Sequence, residues 1–197
     1  MPSKREPIRN RIAVAALLAI NLASQPAAAV DMTSSALSYV NEHVRPWLST
    51  PQVIAALGRA NADNGQLTAE QILELDTRWR AEVGTDSALI GGILNNAVSQ
   101  TLRDQSAATE GMVTEVILMD AQGLNVAISE VTSDYWQGDE AKHQETFLVG
   151  PQAVHVSEVE FDESTQTYSI QVSITLVDPA TGQAIGAATV GLNAEAL

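Results

Sequence analysis

Apolar positions in the first half of the chain recur at helical steps. Leu37, Val40, Val44, Trp47 and Leu48 are three or four residues apart and predict one amphipathic helix. Pro46 is expected to kink that helix or mark its end. Ser49-Thr50-Pro51 reads as a fresh start, with a hydroxyl cap and a proline at the first helical position, and Ile54 and Leu57 extend the stripe. Asn61 to Gly65 is a cluster of turn residues. Thr68-Ala69-Glu70-Gln71 is a capping box that opens a helix whose buried stripe is Ile72, Leu75 and Trp79, with Leu67 placed to staple against Ile72. Gly84-Thr85-Asp86 opens another, where Leu89-Ile90, Ile93-Leu94, Ala97-Val98 and Thr101-Leu102 keep a 3.6-residue period.

The pattern changes near Gly111. Val113 to Met119 reads as a central strand, Asp120-Ala121-Gln122-Gly123 as a turn, and Leu124 to Ser129 as the second arm of a hairpin. Val131 to Gly150 has no strand alternation and carries one or two short helical turns. Val154 to Phe161 is a strand whose apolar phase slips, which predicts a bulge near Ser157-Glu158. Tyr168, Ile170, Val172, Ile174 and Leu176 alternate with Ser169, Gln171, Ser173 and Thr175, so this strand has one polar face, either solvated or lining a wet pocket; solvation is the default. Pro179 to Gly182 turns the chain into a last strand, Ala184 to Leu192. The prediction is α+β: long N-terminal helices on one face of a five-stranded antiparallel sheet, with the Val131–Gly150 crossover over part of the other face and a cavity beneath it.

Composition narrows the function. Ten Lys+Arg against 24 Asp+Glu give a net charge of −14, which removes the basic face a nucleic-acid binder needs. The absence of cysteine removes disulfides, thiol catalysis and cysteine metal sites. Four of the basic residues, Lys4, Arg5, Arg9 and Arg11, precede an apolar run from Ile12 to Ala23 and the small residues Ala27-Ala28-Ala29. This is the layout of a secretory signal cleaved before Val30, and the run is shorter than the ~20 residues of a spanning helix. Cleavage removes those four basic residues and Glu6, leaving 6 Lys+Arg, 23 Asp+Glu and a net charge of −17. The expected organisation is a signal peptide at 1–29, a helical region at 30–110 and a sheet region at 111–197. The product is expected to be periplasmic or secreted, without stable membrane insertion.

The order of elements around Asp120-Ala121-Gln122-Gly123, the segment Thr132-Ser133-Asp134-Tyr135-Trp136-Gln137-Gly138-Asp139-Glu140, and the closing strands with Ile185-Gly186 and Val190-Gly191-Leu192-Asn193 resemble the single Cache domain, a PAS-like extracellular sensor also called PDC. The resemblance runs from about Thr33 to the end of the sequence and is strongest from Val113. It implies a PAS-like sheet, a pocket between sheet and crossover, and a small organic ligand such as a carboxylate or amino acid. The family is commonly tethered to a kinase, cyclase or chemotaxis module. This sequence closes on its last strand, so a free-standing sensor that relays occupancy to a membrane receptor or sensor kinase is expected.

Five residues are candidates for the ligand site. Tyr135 and Trp136 pair apolar surface with a hydrogen-bond donor, and as chain neighbours they are expected to point different ways. Lys142, the only lysine after the leader, is either a carboxylate anchor or a surface lysine beside Asp139 and Glu145. His143 is either a carboxylate donor and pH-responsive group or a solvent-facing histidine. Ser129 ends the second strand at the expected pocket mouth. Glu158, Glu160, Asp162 and Glu163 read as an acidic exposed edge that discourages aggregation. The spacing of His43, His143 and His155 suits no metal, and no cofactor or nucleophile motif is present, so a non-enzymatic role is expected. The alternative is an interaction protein without a small-molecule ligand, dimerising through the Leu37–Leu48 stripe.

Overall fold

The structure, a computed structural model, describes residues 27–162 and 166–197. The leader expected at 1–29 lies outside the described residues except for its last three positions, which begin the first helix; Glu163 also lies outside them.

Helix α1 (Ala27–Tyr39) runs through one wide turn, Val40–Val44, into α2 (Arg45–Leu48). In that turn the Arg45 amide reaches back to the Val40 carbonyl, five residues away. A proline ring crowds the carbonyl four residues before it, and the wider turn just ahead of Pro46 relieves that clash. Pro46 therefore does not end the helix, which continues to Leu48. Helix α3 (Pro51–Asn64) starts on a Thr50 cap, and α4 (Ala69–Glu82) on the reciprocal Thr68–Gln71 box.

Asn61 to Asn64, expected as a turn, is the last turn of α3. Its amides have tertiary partners that outweigh their turn preference. Asn61 Oδ1 accepts from the Ala121 amide and its Nδ2 donates to the Ile185 carbonyl, while Asn64 Nδ2 donates to Asp120 Oδ2. The single long helix expected from Leu89 to Leu102 is two: α5 (Ala88–Leu94) and α6 (Ala97–Ala107). Asn96 divides them, because its Oδ1 caps the Ser99 amide and its Nδ2 donates to the Ile93 and Val126 carbonyls. Among the described residues no helix is long and apolar enough to cross a membrane.

Strands β1 (Val113–Met119), β2 (Asn125–Ile128), β3 (Val154–Val156), β4 (Glu160–Asp162), β5 (Thr167–Val177) and β6 (Ala184–Asn193) form one antiparallel sheet in the order β2-β1-β6-β5-β3, with β4 also on β5. β3 and β4 are the one strand expected from Val154 to Phe161, broken at its bulge. Val156 pairs with Val172 and Glu160 with Ser169, so four steps on one strand meet three on the other. A second bulge lies at Thr114, between the pairs Val113–Leu192 and Glu115–Gly191.

The sheet has two unlike faces. On one, Val116, Leu118, Ile170, Val172, Ile174, Leu176, Val190 and Leu192 pack with Ala36, Val40, Val44, Leu48 and Leu57 into the main core. The N-terminal stripe is thus occupied by the chain's own sheet, with Leu37 and Trp47 partly buried at its margins. The other face is covered by α4, α5 and the crossover, which carries the single short helix α7 (Ala141–Gln144). There Ser173, Thr175 and Thr189 are buried. The polar face of β5, expected by default to be solvated, is largely covered.

Candidate functional site

The crossover is fastened to the body by one acid and one pair of glycines. Asp76 of α4 is fully buried, and its Oδ1 accepts from the Tyr135 and Trp136 amides at 2.9 and 3.0 Å. Its other oxygen pairs with Arg80, which also reaches Asp134 at 2.9 Å. These acids hold the Arg80 guanidinium above its ordinary pKa, the Asp76 hydrogen bond first. Asp76 escaped the sequence reading. Its signal is an acid inside the apolar stripe Ile72–Asp76–Trp79, where only a partnered carboxylate can sit. At the other anchor, Gly123 takes a positive φ of 83° and lies against Gly138; a Cβ on Gly123 would come within 2.5 Å of Gly138 Cα. The Gln137 amide donates to the Gly123 carbonyl there at 2.8 Å.

Between these anchors and the far side of the sheet lies a cleft of about 490 Å³. Its floor is Glu115 and Ile117 of β1 with Ser169 and Gln171 of β5, and its roof is Thr132, Gln137 and Lys142 of the crossover. Glu160 and Phe161 close the outer end. Gly191 makes the room: a Cβ there would meet Thr114 Oγ1 and Glu115 Cγ at 2.7 Å. Gln171 Nε2 donates to Glu115 Oε1 at 2.7 Å and steers that carboxylate. Lys142 Nζ donates to Gln137 Oε1 and pairs with Glu140 Oε2, both at 3.1 Å. Its side chain is mostly buried, so it is not the free surface lysine of the alternative reading. Past Lys142 the cleft continues into a recess of about 410 Å³ bordered by His155 and Glu158. One cation therefore faces Glu115 and Glu160 across a polar gap. Glu160 is exposed on β4, as expected of an acidic edge, and from there it also borders the cleft.

Of the five residues expected at the site, Lys142 alone lines this cleft. Tyr135 stacks on Trp79, with ring centroids 5.2 Å apart, and burial followed by the charge of Asp120 pushes its pKa up to about 12. Trp136 points the other way, donating from Nε1 to the Gln122 carbonyl at 2.8 Å beside Ile72 and Leu73. Ser129 is buried in the ladder, where its Oγ accepts from the Val116 amide at 2.8 Å. His143 is buried and stacked on Phe147, and neither ring nitrogen has a hydrogen-bond partner among the described residues. Burial holds the imidazole below its ordinary pKa, against weaker upward pulls from the Asp120 backbone and then from the Asp120 charge. It is neither solvent-facing nor in the cleft. The expectation missed Glu115, Thr132 and Gln137, and it held Gln171 only in the wet-pocket alternative for the polar face of β5. The Thr114 bulge decides which way Glu115 faces, and no periodicity in the sequence marks that bulge. Among the described residues no three His, Asp or Glu lie together to hold a metal ion.

No protein-family model matches the chain, and no curated protein matches it. Solved structures do. The sensory domain of the Campylobacter jejuni chemoreceptor Tlp3 with isoleucine bound is 15% identical, with 88% of this chain and 65% of that one covered, at a TM-score of 0.40. The sensor domain of the Vibrio cholerae histidine kinase DctB is 11% identical, over 81% and 57%, at 0.37. The ligand-binding domain of the Pseudomonas aeruginosa PAO1 amino acid chemoreceptor PctC with GABA is 17% identical, over 72% and 60%, at 0.35. The chain spans just under two thirds of the length of the chemoreceptor domains it matches. These neighbours are ligand-binding and sensor domains of chemoreceptors and of a histidine kinase.

Proposed function

We propose that the chain is an exported sensor domain of the Cache type that binds a small amino-acid-like metabolite between its sheet and its crossover. The observation that carries this reading is the polar cleft of about 490 Å³ with Lys142 on one wall and Glu115 and Glu160 on the others. A ligand carrying only a carboxylate meets one lysine and two acids there. A zwitterion satisfies both signs, with its carboxylate at Lys142 and its ammonium at Glu115 and Glu160. Occupancy pulls Gln137 and Lys142 toward the sheet and changes the surface shown to a membrane receptor or sensor kinase.

The test is calorimetry on the full chain with matched series of amino acids, the corresponding carboxylates and the corresponding amines. The expected result is saturable binding of at least one amino acid, with Lys142→Met and Glu115→Gln each weakening it tenfold or more, about 1.4 kcal/mol. Binding by none of the series, or binding indifferent to both substitutions, rejects the site. Export is tested separately, by the mass of the protein recovered from the periplasm, which is expected to begin at Val30.

A further inference from the structure

The sheet ends at β3, and the outer edge of that strand is open. The Thr175 amide donates to the Ala153 carbonyl and the Ser157 amide to the Gln171 carbonyl, with His155 opposite Ser173 between them. In an antiparallel pair the intervening residues turn their backbone groups the other way. Val154 and Val156 therefore direct N–H and C=O outward, where no strand pairs with them and no hydrogen bond reaches them among the described residues. The opposite edge of the sheet is covered instead. There the Asn125 amide donates to the Tyr135 carbonyl, and Leu124 bridges to Trp136.

The two sides of the open edge differ in chemistry. On the side of the N-terminal helices lie exposed Val154 and partly buried Val156, followed by the exposed pair Phe161 and Tyr168 with ring centroids 5.4 Å apart. On the crossover side Glu145 lies 2.8 Å from His155 Nδ1, and the recess of about 410 Å³ beside it is bordered by Glu158 and Glu160. All three of these acids are exposed. Lys142 also borders the recess, where Glu140 and Gln137 engage it.

An unpaired edge is a template for an added strand, and the side chains of that strand alternate between the two faces. Those falling on the helix side meet Val154 and Val156, so apolar residues fit there. Those falling on the crossover side meet Glu145, Glu158 and Glu160, so Lys or Arg fits there. A second copy of this chain fits poorly, because it brings the same acids and another net charge of −14 to the seam.

We propose that the β3 edge is a docking surface for an extended segment of a partner protein in which apolar and basic residues alternate. Backbone pairing with Val154 and Val156 supplies the attachment, and the flanking acids select the basic strand. The acids that keep copies of this chain apart are the ones that admit the partner. The edge lies outside the amino-acid cleft, although the recess shares Lys142, Glu160 and Gln171 with it, and the proposal stands without that ligand.

The test is fluorescence anisotropy of the full chain with a labelled eight-residue peptide alternating Val and Lys, joined to amide hydrogen exchange. Three peptides are matched to it: one alternating Val and Glu, one with the lysines gathered at one end, and one N-methylated at alternate residues so that it cannot pair. The alternating Val–Lys peptide is expected to bind saturably and to protect the Val154 and Val156 amides, with each matched peptide about tenfold weaker or more. Joint Glu145→Gln and Glu158→Gln substitution is expected to weaken it about tenfold. Val154→Pro removes an outward N–H, a change edge strands tolerate, and is expected to do the same. Absence of saturable binding, equal binding of the end-loaded or N-methylated peptide, or protection confined to other segments overturns the proposal. Protection of Val154 and Val156 that rises with protein concentration alone assigns the edge to a second copy and overturns it too.

Discussion

The two faces of the sheet are built from the same strands and do opposite work. Beneath the N-terminal helices, Ile170, Val172, Ile174 and Leu176 meet Val40, Val44 and Leu48 in a dry contact. Beneath the crossover, the alternate residues Ser173 and Thr175 are buried, Gln171 lines the cleft, and the cover is fastened by hydrogen bonds at Asp76 and Gly123. Apolar burial is non-directional and adds up with area, whereas a polar interface is strong only where each group has its partner. The first face can hold the molecule together. The second depends on a few directional contacts, each of which can be removed singly.

Four measurements put that contrast at risk. Leu48→Ala on the dry face leaves a cavity in a fully buried site and is expected to cost ~2–5 kcal/mol by urea denaturation. A loss well short of that range would remove the helix from the main core. Asp76→Ala strands two crossover amides, while Arg80 keeps Asp134 and solvent, with an expected cost of ~2–3 kcal/mol. It is also expected to raise hydrogen exchange across residues 131–150 while β5 and β6 stay protected. Equal loosening of both faces would show that the crossover is not a separate unit.

His143 gives the third. Its folded pKa lies below the ordinary value of 6.5, so the unfolded chain takes up the proton first as pH falls. Its contribution is whole above 6.5, is lost progressively below that value, and is gone once the pH passes the folded pKa. The slope for one proton is at most ~1.4 kcal/mol per pH unit. Comparing wild type with His143→Met from about pH 7.5 down to about pH 5 is expected to show a shallower loss in the variant, and parallel curves would contradict it. The smallest effect is Thr175→Val. Its Oγ1 is buried without a partner among the described residues, so the exchange is expected to be neutral or to stabilise by ~1 kcal/mol. A clear loss of stability would reveal a partner for that hydroxyl.

The sequence is most legible on the dry face. Alternation located β5, a β-branched run located β1 to the residue, and a phase slip located the bulge between β3 and β4. It misleads where tertiary partners outbid local preference. Asn61 and Asn64 look like turn residues until the Asp120 hairpin occupies their amides. The site was harder to read for the same reason. Tyr135 and Trp136 carry the most apolar surface in the crossover and are spent on fastening it to α4, while the cleft is furnished by Glu115, Gln171 and Gln137, which alternation alone does not distinguish from solvated residues.

The wide turn before Pro46 has a consequence for how the first helix is threaded. Ala36, Val40, Val44 and Leu48 advance by strict steps of four, and four residues of a regular helix overshoot a revolution by about 40°. Three such steps at uniform pitch would carry the last side chain about 120° off the line of the first. Loosening the thread once, between Val40 and Val44, takes back part of that drift, and all four side chains remain fully buried. The helix is therefore two screws joined in phase. Removing a single residue from the joint would restore the uniform pitch and turn everything upstream by about 100°, swinging Ala36 away from the sheet while Val44 and Leu48 keep their places.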